Sequence, residues 1–332
     1  MANFDHLIDL AAEALGGKAL HASDEFFAPK ENLLKPGRGE FIVGKYTPYG
    51  KWMDGWESRR KRVPGYDWCI IKLGLPGKIR GIDVDTNHFT GNFPEFASLD
   101  AIEAPADSTH ESLRDAKWTS LVPISKLQGG SRNLFAVHSE ARFTHVRLNI
   151  HPDGGVARLR VHGVVLPDWP NAGTDNGHFN LSALENGAVV VAANDMFFGH
   201  MNNLIMPGDP ATMGDGWETR RKRGPGNDWI VVKLAEPGYV RRVIVDTMHF
   251  KGNYPEGFSL EGAVLPDDTP TEYFSSRAVQ WVEILGLTRL HPDTCHDFRH
   301  GLNAVETVFT HVRLSIFPDG GVARLRVLGT LP

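Results

Sequence analysis

Residues 54–62 read DGWESRRKR, and residues 215–223 read DGWETRRKR, with Ser58 against Thr219 the single difference. Each copy is followed by a Pro-Gly pair, an Asp-Trp pair and an apolar run: Pro64, Gly65, Asp67 and Trp68 in the first, Pro225, Gly226, Asp228 and Trp229 in the second. Four cations and two acids around a tryptophan make a poor core segment, because unpaired charges are rarely buried. Written once, the stretch reads as a solvated basic strand. Written twice among matching neighbours, it marks two copies of one domain.

The neighbours keep order and spacing. DTNHFTGNFPE (85–95) returns as DTMHFKGNYPE (246–256), at the same distance from the first block in both halves. FTHVRLNIHPDGGVARLRVHG (143–163) returns as FTHVRLSIFPDGGVARLRVLG (309–329), and Asp24-Glu25-Phe26-Phe27 is echoed by Asp195-Met196-Phe197-Phe198. Two copies are too few for a solenoid, but each is long enough to hold its own core. Residues 1–166 are read as a first repeat, 167–178 (PDWPNAGTDNGH) as a linker rich in Pro, Asn and Gly, and 179–332 as a second repeat. Phe4, Leu7, Ile8, Ala11, Ala12 and Leu15 recur at helical spacing, with Asn3 as cap and Gly16-Gly17 as stop, which predicts a short N-terminal helix.

Beyond that helix the signals are β. Val146, Leu148 and Ile150 alternate with Arg147, Asn149 and His151, and Ala157, Leu159 and Val161 alternate with Arg158, Arg160 and His162. This predicts a hairpin turned by PDGG. DWCIIKLGLPGKIRGIDVDT (67–86) and DWIVVKLAEPGYVRRVIVDT (228–247) each predict two strands around a Pro-Gly turn. Short strands separated by Gly and Pro argue for an all-β fold of antiparallel sandwiches. The Trp–apolar–Lys-Leu–Pro-Gly pattern and the closing RLRV-x-G resemble the galactose-binding, or discoidin, jelly roll. That resemblance implies two tandem jelly-roll domains, but such a fold serves lectins, adhesion proteins and enzymes alike.

Charge and cysteine content narrow the class. With 35 Lys plus Arg against 40 Asp plus Glu, the net charge is −5, so bulk charge gives no reason to expect nucleic acid despite the RRKR runs. Cys69 and Cys295 are the two cysteines and stand at non-equivalent places in the repeats, which argues against a disulfide framework and for a reducing compartment. No apolar run approaches a membrane span and no leader pattern opens the chain. A cytoplasmic protein is expected.

Ligand sites of sandwiches sit on the loops at one end, and three groups compete for that place. The first is DGWE-x-RRKR: Asp54, Glu57, Arg59, Arg60, Lys61 and Arg62, with Asp215, Glu218, Arg220, Arg221, Lys222 and Arg223. Along a strand, Arg59 and Lys61 point one way and Arg60 and Arg62 the other, so one pair alone faces a given pocket, and a guanidinium fork suits a small anion. The second is the loop with His88, Asn92 and Glu95, matched by His249, Asn253 and Glu256. It joins an acid–base residue, an amide able to read a urea-like group and a carboxylate, while Gly91 and Gly252 allow unusual backbone angles before the Asn. The third, Arg147, Asp153, Arg158 and Arg160 with Arg313, Asp319, Arg324 and Arg326, reads as charge pairing on an outer sheet face around a turn Asp. His291, Cys295, His296, Asp297 and His300 offer mixed ligands at a spacing that matches no strong metal signature. No metal and no cofactor are assigned.

Together the three duplicated blocks resemble the allantoicase family from about residue 20 to the end, duplication included. The resemblance implies hydrolysis of allantoate to ureidoglycolate and urea, a small-molecule substrate, a homo-oligomer, and no nucleic-acid or membrane partner. On that footing Arg59 or Arg60 (Arg220 or Arg221) binds the substrate carboxylate and Asn92 or Asn253 reads a ureido group. Glu95 or His88 (Glu256 or His249) protonates the leaving nitrogen, and Glu57 or Glu218 activates water. The rival class is a non-catalytic lectin-like module holding an anionic sugar. Either repeat, or both, can carry the site on this reading.

Overall fold

In the computed structural model, residues 4–5, 7–167, 174–267, 269–276 and 278–332 are described. The chain divides into two compact units, Met1–Leu166 and Pro167–Pro332, each a β-sandwich of the jelly-roll type.

The first unit is built on one strand, Asp67–Asp85. The expected pair of strands around Pro76-Gly77 is instead one continuous strand that changes partners at that point. Its first half, from Asp67 to Lys72, lies between Lys18–Ala22 and Phe143–His151; its second, from Gly77 to Asp85, lies between Arg158–Val165 and Arg132–Ala136. The register with Phe143–His151 breaks between Lys72 and Gly77. A proline has no N–H for a ladder, so it is tolerated where a strand leaves one set of partners for another. Phe96–Ile102 and then Thr119–Lys126 extend the first set, and Ile8–Asp9 edges the second. The two faces close on each other through Ile82 and Val84 from the second half against Ala97, Leu99, Val122 and Leu148.

This pairing corrects the predicted hairpin. Phe143–His151 and Arg158–Val165 never pair with each other, because each adds to a different half of the long strand. The PDGG between them is therefore a crossover from one sheet to the other. The alternation of apolar and polar residues is real, but it reports two separate strands that each bury one face.

The second unit repeats the plan on Asp228–Asp246. Its first half pairs Val189–Ala193 and Val308–Phe317, and its second half pairs Arg324–Thr330 and Cys295–Phe298. Of the expected linker, 168–173 lie outside the described residues, while Thr174–Asp175 pairs with His178–Asn180, which joins Arg324–Thr330.

The predicted N-terminal helix is not formed. Ile8–Asp9 is a two-residue strand against Gly163 and His162, and Glu13–Leu15 is a single 3-10 turn ended by Gly16 at φ 91°; the proposed cap, Asn3, lies outside the described residues. A helix this short is marginal by itself. The sheet edge offers the same apolar residues a better partner: Leu10 N–H bonds the Val161 carbonyl at 2.7 Å, and the Asp9 carboxylate takes the N–H of Val161 at 2.9 Å. Phe4, Leu10 and Ala11 are buried in consequence. Both cysteines are free, Cys69 buried and Cys295 exposed. Among the described residues no helix is long and apolar enough to cross a membrane.

Candidate active site

The three duplicated blocks, far apart in sequence, meet at one end of each sandwich. Trp56–Glu57 pairs with Gly155–Val156. Ser58 N–H donates to the Gly154 carbonyl at 3.1 Å, and Gly155 N–H donates to the Asn92 carbonyl at 2.8 Å. Trp56 is fully buried and its indole N–H donates to the Asp24 carbonyl at 2.8 Å; burying so large a ring contributes roughly 2–3 kcal/mol and fixes the next residue, Glu57. The charged stretch is thus nailed down by its tryptophan. Gly154 holds φ at 137°, and a side chain there would meet Pro94 N at 2.7 Å and the Asn92 carbonyl at 2.8 Å. The paired glycines of PDGG are what let the Asn92 loop lie directly on the crossover. Trp217–Glu218, Gly321–Val322, Gly320 and Asn253 repeat these contacts.

At the meeting point a carboxylate is held by an amide. Asn92 Nδ2 donates to Glu57 Oε1 at 2.7 Å, and Asn253 Nδ2 donates to Glu218 Oε1 at 2.5 Å. Glu57 is 9 % exposed. Burial pushes its carboxyl above the usual range, and the Asn92 N–H offsets part of that rise. In the second unit Glu218 opens on a cleft of about 500 Å³, lined also by Phe198, Arg221, Asn253, Tyr254, Glu256 and Asp319. A carboxylate, a guanidinium and a second carboxylic group around such a space suit proton transfer on a small anion.

The cations lie just past the short Trp56–Glu57 and Trp217–Glu218 strands, and they separate by partner. Arg59 Nε bonds Asp24 Oδ2 at 2.8 Å and Arg220 Nε bonds Asp195 Oδ2 at 2.6 Å, each guanidinium lying over a phenyl ring, Phe26 or Phe197. Lys61 pairs with Asp67 at 2.6 Å and Lys222 with Asp228 at 2.8 Å. Arg60 and Arg221 are exposed and enter no hydrogen bond or ion pair among the described residues; Arg221 lines the cleft. Of each Arg-Arg pair, Arg59 and Arg220 are thus engaged by a carboxylate and Arg60 and Arg221 are not.

The His-containing loop sorts in the same way. Positive φ falls on His88 (67°) and His249 (69°), while Gly91 and Gly252 hold no such angle. This corrects the expected role of the glycines. Around Gly91 and Gly252 a Cβ would meet nothing within 4 Å, so their service is open space beside the Asn. His249 is tied by its own N–H to Asp293 Oδ1 at 2.7 Å and by Nε2 to the Pro210 carbonyl at 3.0 Å. His88 is exposed and lies beside Phe41, ring centroids 5.7 Å apart. Glu256 stands on the cleft, and Glu95 is exposed at the matching place.

The closing block departs from its expected outer-face pairing at two points. Arg147 does pair with Asp100 at 2.9 Å, but Arg158 is 3 % exposed and turns inward to Asp54, Nη2 to Oδ2 at 2.7 Å. Arg324 turns inward too, to the Asp215 carbonyl at 2.7 Å. Asp153 is more than a turn residue: its carboxylate accepts the Lys61 N–H at 2.8 Å, as Asp319 accepts that of Lys222 at 2.7 Å. In the asymmetric segment, both ring nitrogens of His296 are spent on backbone, the His291 N–H at 2.9 Å and the Val245 carbonyl at 3.1 Å. No group of three or more His, Cys, Asp or Glu among the described residues is placed to hold a metal.

Comparison with known proteins gives this geometry a family. The sequence profile of the allantoicase repeat matches residues 8–166 and 179–332. A probable allantoicase 1 from Burkholderia mallei is 51% identical over 324 residues, 98% of this chain and 94% of that protein. The chain belongs to the allantoicase family. A probable allantoicase of Ralstonia nicotianae is 49% identical over 97% of this chain and 94% of its own length. The crystal structure of allantoicase from Saccharomyces cerevisiae superposes with a TM-score of 0.81 at 35% identity, covering 98% of this chain and 93% of that one. The two allantoicase repeats coincide with the two duplicated halves and carry the same meeting of blocks. Sequence reasoning gave no role to Phe198 or Tyr254 and read Asp319 as a turn residue, yet all three line the cleft. Their signal was present in the matched Asp-x-Phe-Phe, GN-x-PE and PDGG blocks, but turns and aromatic residues there have ordinary structural readings.

Proposed function

We propose that this chain hydrolyses allantoate to ureidoglycolate and urea, with a candidate site in each repeat. The observation that carries the site assignment is a carboxylate held by an amide in both repeats, Glu57 by Asn92 and Glu218 by Asn253, beside an arginine free of ion pairs. Family membership over nearly the whole chain supports the reaction.

Allantoate carries two ureido groups and a carboxylate on one carbon. Arg60 or Arg221 holds the carboxylate by its guanidinium fork. Asn92 or Asn253, while orienting the glutamate, presents its amide to a ureido group. Glu95 or Glu256 gives a proton to one ureido nitrogen. That carbon–nitrogen bond breaks and urea leaves as the other ureido nitrogen pushes its lone pair into a C=N bond. Glu57 or Glu218 then takes a proton from water, and the oxygen adds to the imine-like carbon to give ureidoglycolate. Each proton transfer is asked for roughly 10²–10⁴-fold, about 3–5 kcal/mol. His88 and His249 shape the loop through their backbone angles and give no proton in this scheme. A lectin-like module gains nothing from a carboxylate whose ionisation burial opposes, so the catalytic reading is preferred. Homo-oligomeric assembly and a cytoplasmic setting belong to the same proposal and rest on the family resemblance and the sequence.

The test is release of urea from allantoate by the purified protein, by Glu57→Gln and Glu218→Gln singly, and by both together. Loss of activity in the double variant with a retained fold is expected. A well-folded wild-type protein that releases no urea would sink the function, and an active double variant would sink the site.

A further inference from the structure

The two carboxylate–amide pairs are not equal. In the first repeat Asn92 Nδ2 bonds only Glu57 among the described residues. In the second, Asn253 Nδ2 is shared between Glu218 Oε1 at 2.5 Å and the sulfur of Met213 at 3.2 Å. Met213 opens the 3-10 turn Met213–Asp215 just before the Trp217–Glu218 strand and is 43 % exposed. In the first repeat Trp52 stands where the second has Met213, and the neighbouring Met53 is 7 % exposed and packed against Phe89 and Ala157, so among the described residues no accessible sulfur stands over Asn92.

We propose that Met213 is an oxidation site through which hydroperoxides silence the second cleft and spare the first. The thioether lone pair takes the terminal oxygen of hydrogen peroxide, the O–O bond breaks and water leaves. Sulfur is oxidised by two electrons to the sulfoxide and the peroxide is reduced. A thioether is a weak acceptor and a sulfoxide oxygen a strong one. Placed where the sulfur already meets Asn253 Nδ2, that oxygen competes with Glu218 for the amide. Loss of one hydrogen bond to a charged group corresponds to about tenfold or more.

This rests on the proposed hydrolase reading, and the experiment separates the two. The Glu57→Gln variant reports on the second cleft and Glu218→Gln on the first. After dilute hydrogen peroxide, peptide mass analysis locates the added oxygen, urea release reads activity, and NMR of the Asn side-chain amides reads the contact directly. The expected result is about a tenfold or greater fall in the Glu57→Gln variant and none in Glu218→Gln. Met213→Leu should protect, Met196→Leu, at the other exposed methionine of this repeat, should not, and methionine sulfoxide reductase should restore activity. Unchanged activity with Met213 fully oxidised, or equal loss in Met213→Leu, would overturn the proposal. If the well-folded wild-type protein releases no urea, the hydrolase reading is what has failed. The Asn253 amide signals then decide this one: a shift on oxidation that Asn92 does not share supports it, and unmoved signals overturn it.

Discussion

The side-chain amide of Asn92 donates to the buried carboxylate of Glu57 at 2.7 Å, which sets one hydrogen bond against the cost of desolvating an acid. Burial wins, and the Glu57 carboxyl lies above the ordinary glutamate range. A base raised in this way is better matched to work near neutrality, so kcat/KM should fall on the acid side at a pH above the free glutamate pKa. The sign for stability is opposite to that for activity. A carboxyl raised on folding stabilises the fold below its unfolded pKa, and that contribution is lost as pH rises through the folded value. Glu57→Gln should therefore lower first-cleft turnover by roughly 10²–10⁴-fold while raising the neutral-pH Tm. A lower Tm with unchanged kcat would contradict both parts.

Arg60 and Arg221 should separate from their neighbours by the parameter they change. Replacing either by Ala removes a charge-assisted contact to the substrate carboxylate, worth about 10–100-fold in KM of that cleft, with little change in Tm. Arg59→Ala and Arg220→Ala instead free Asp24 and Asp195. Burial would raise those carboxyls, but the N–H groups of Arg59 and Phe26 (Arg220 and Phe197) and the guanidiniums outweigh it and hold both low. Those variants should show a small stability loss and little change in KM. Steady-state kinetics in the Glu57→Gln and Glu218→Gln backgrounds gives each number, and a KM effect confined to Arg59 and Arg220 would reverse the assignment.

The doubling made the fold class and the candidate site region legible, because two copies of Glu57, Asn92 and Asp153 in the same order expose what one copy hides. Local pattern could not show pairing. Asp67–Asp85 reads as two strands because Pro76-Gly77 is an ordinary turn dipeptide; only distant partners, Phe143–His151 and Arg158–Val165, reveal that the chain runs straight on. The same blindness made a hairpin of those two strands. Alternation in RRKR separated Arg59 from Arg60 but could not show that Arg59 is engaged by Asp24, 35 residues away. The N-terminal apolar spacing fitted a helix equally well until a sheet edge claimed Ile8 and Asp9.

Two kinds of glycine should respond oppositely to a methyl group. At Gly154 and Gly320 an added Cβ strikes the backbone of the Asn loop, 2.7 Å from Pro94 N in the first repeat and 2.6 Å from the Asn253 carbonyl in the second, at φ values of 137° and 136°. Gly154→Ala and Gly320→Ala should each lose about 1–3 kcal/mol and displace the amide that holds the glutamate. At Gly91 and Gly252 the same methyl enters open space. Those variants should unfold at the wild-type denaturant midpoint yet alter KM, because the space lies beside the substrate-facing Asn. Urea or guanidinium melts with parallel kinetics test the pair, and a destabilised Gly252→Ala would refute the open-space reading.

His145 and His311 should each contribute to the loss of stability of its sandwich on the acid side. Each is buried, and each ring sits within 2.9 Å of the preceding threonine hydroxyl. Burial, followed by the charge of Lys72 beside one and Lys233 beside the other, pushes both imidazoles down to about 4 from an ordinary 6.5. Protons therefore bind the unfolded chain first. The stability these neutral rings supply is complete above pH 6.5 and drains away as pH falls from about 6.5 towards about 4. Tm should drop across that window in the wild type, well before the paired carboxylates such as Asp24 titrate. His145→Asn and His311→Asn together should flatten the drop, at some cost in stability at pH 8, because an amide keeps a polar group near the threonine but takes up no proton. An unchanged slope in the double variant would mean that other groups set the acid limit.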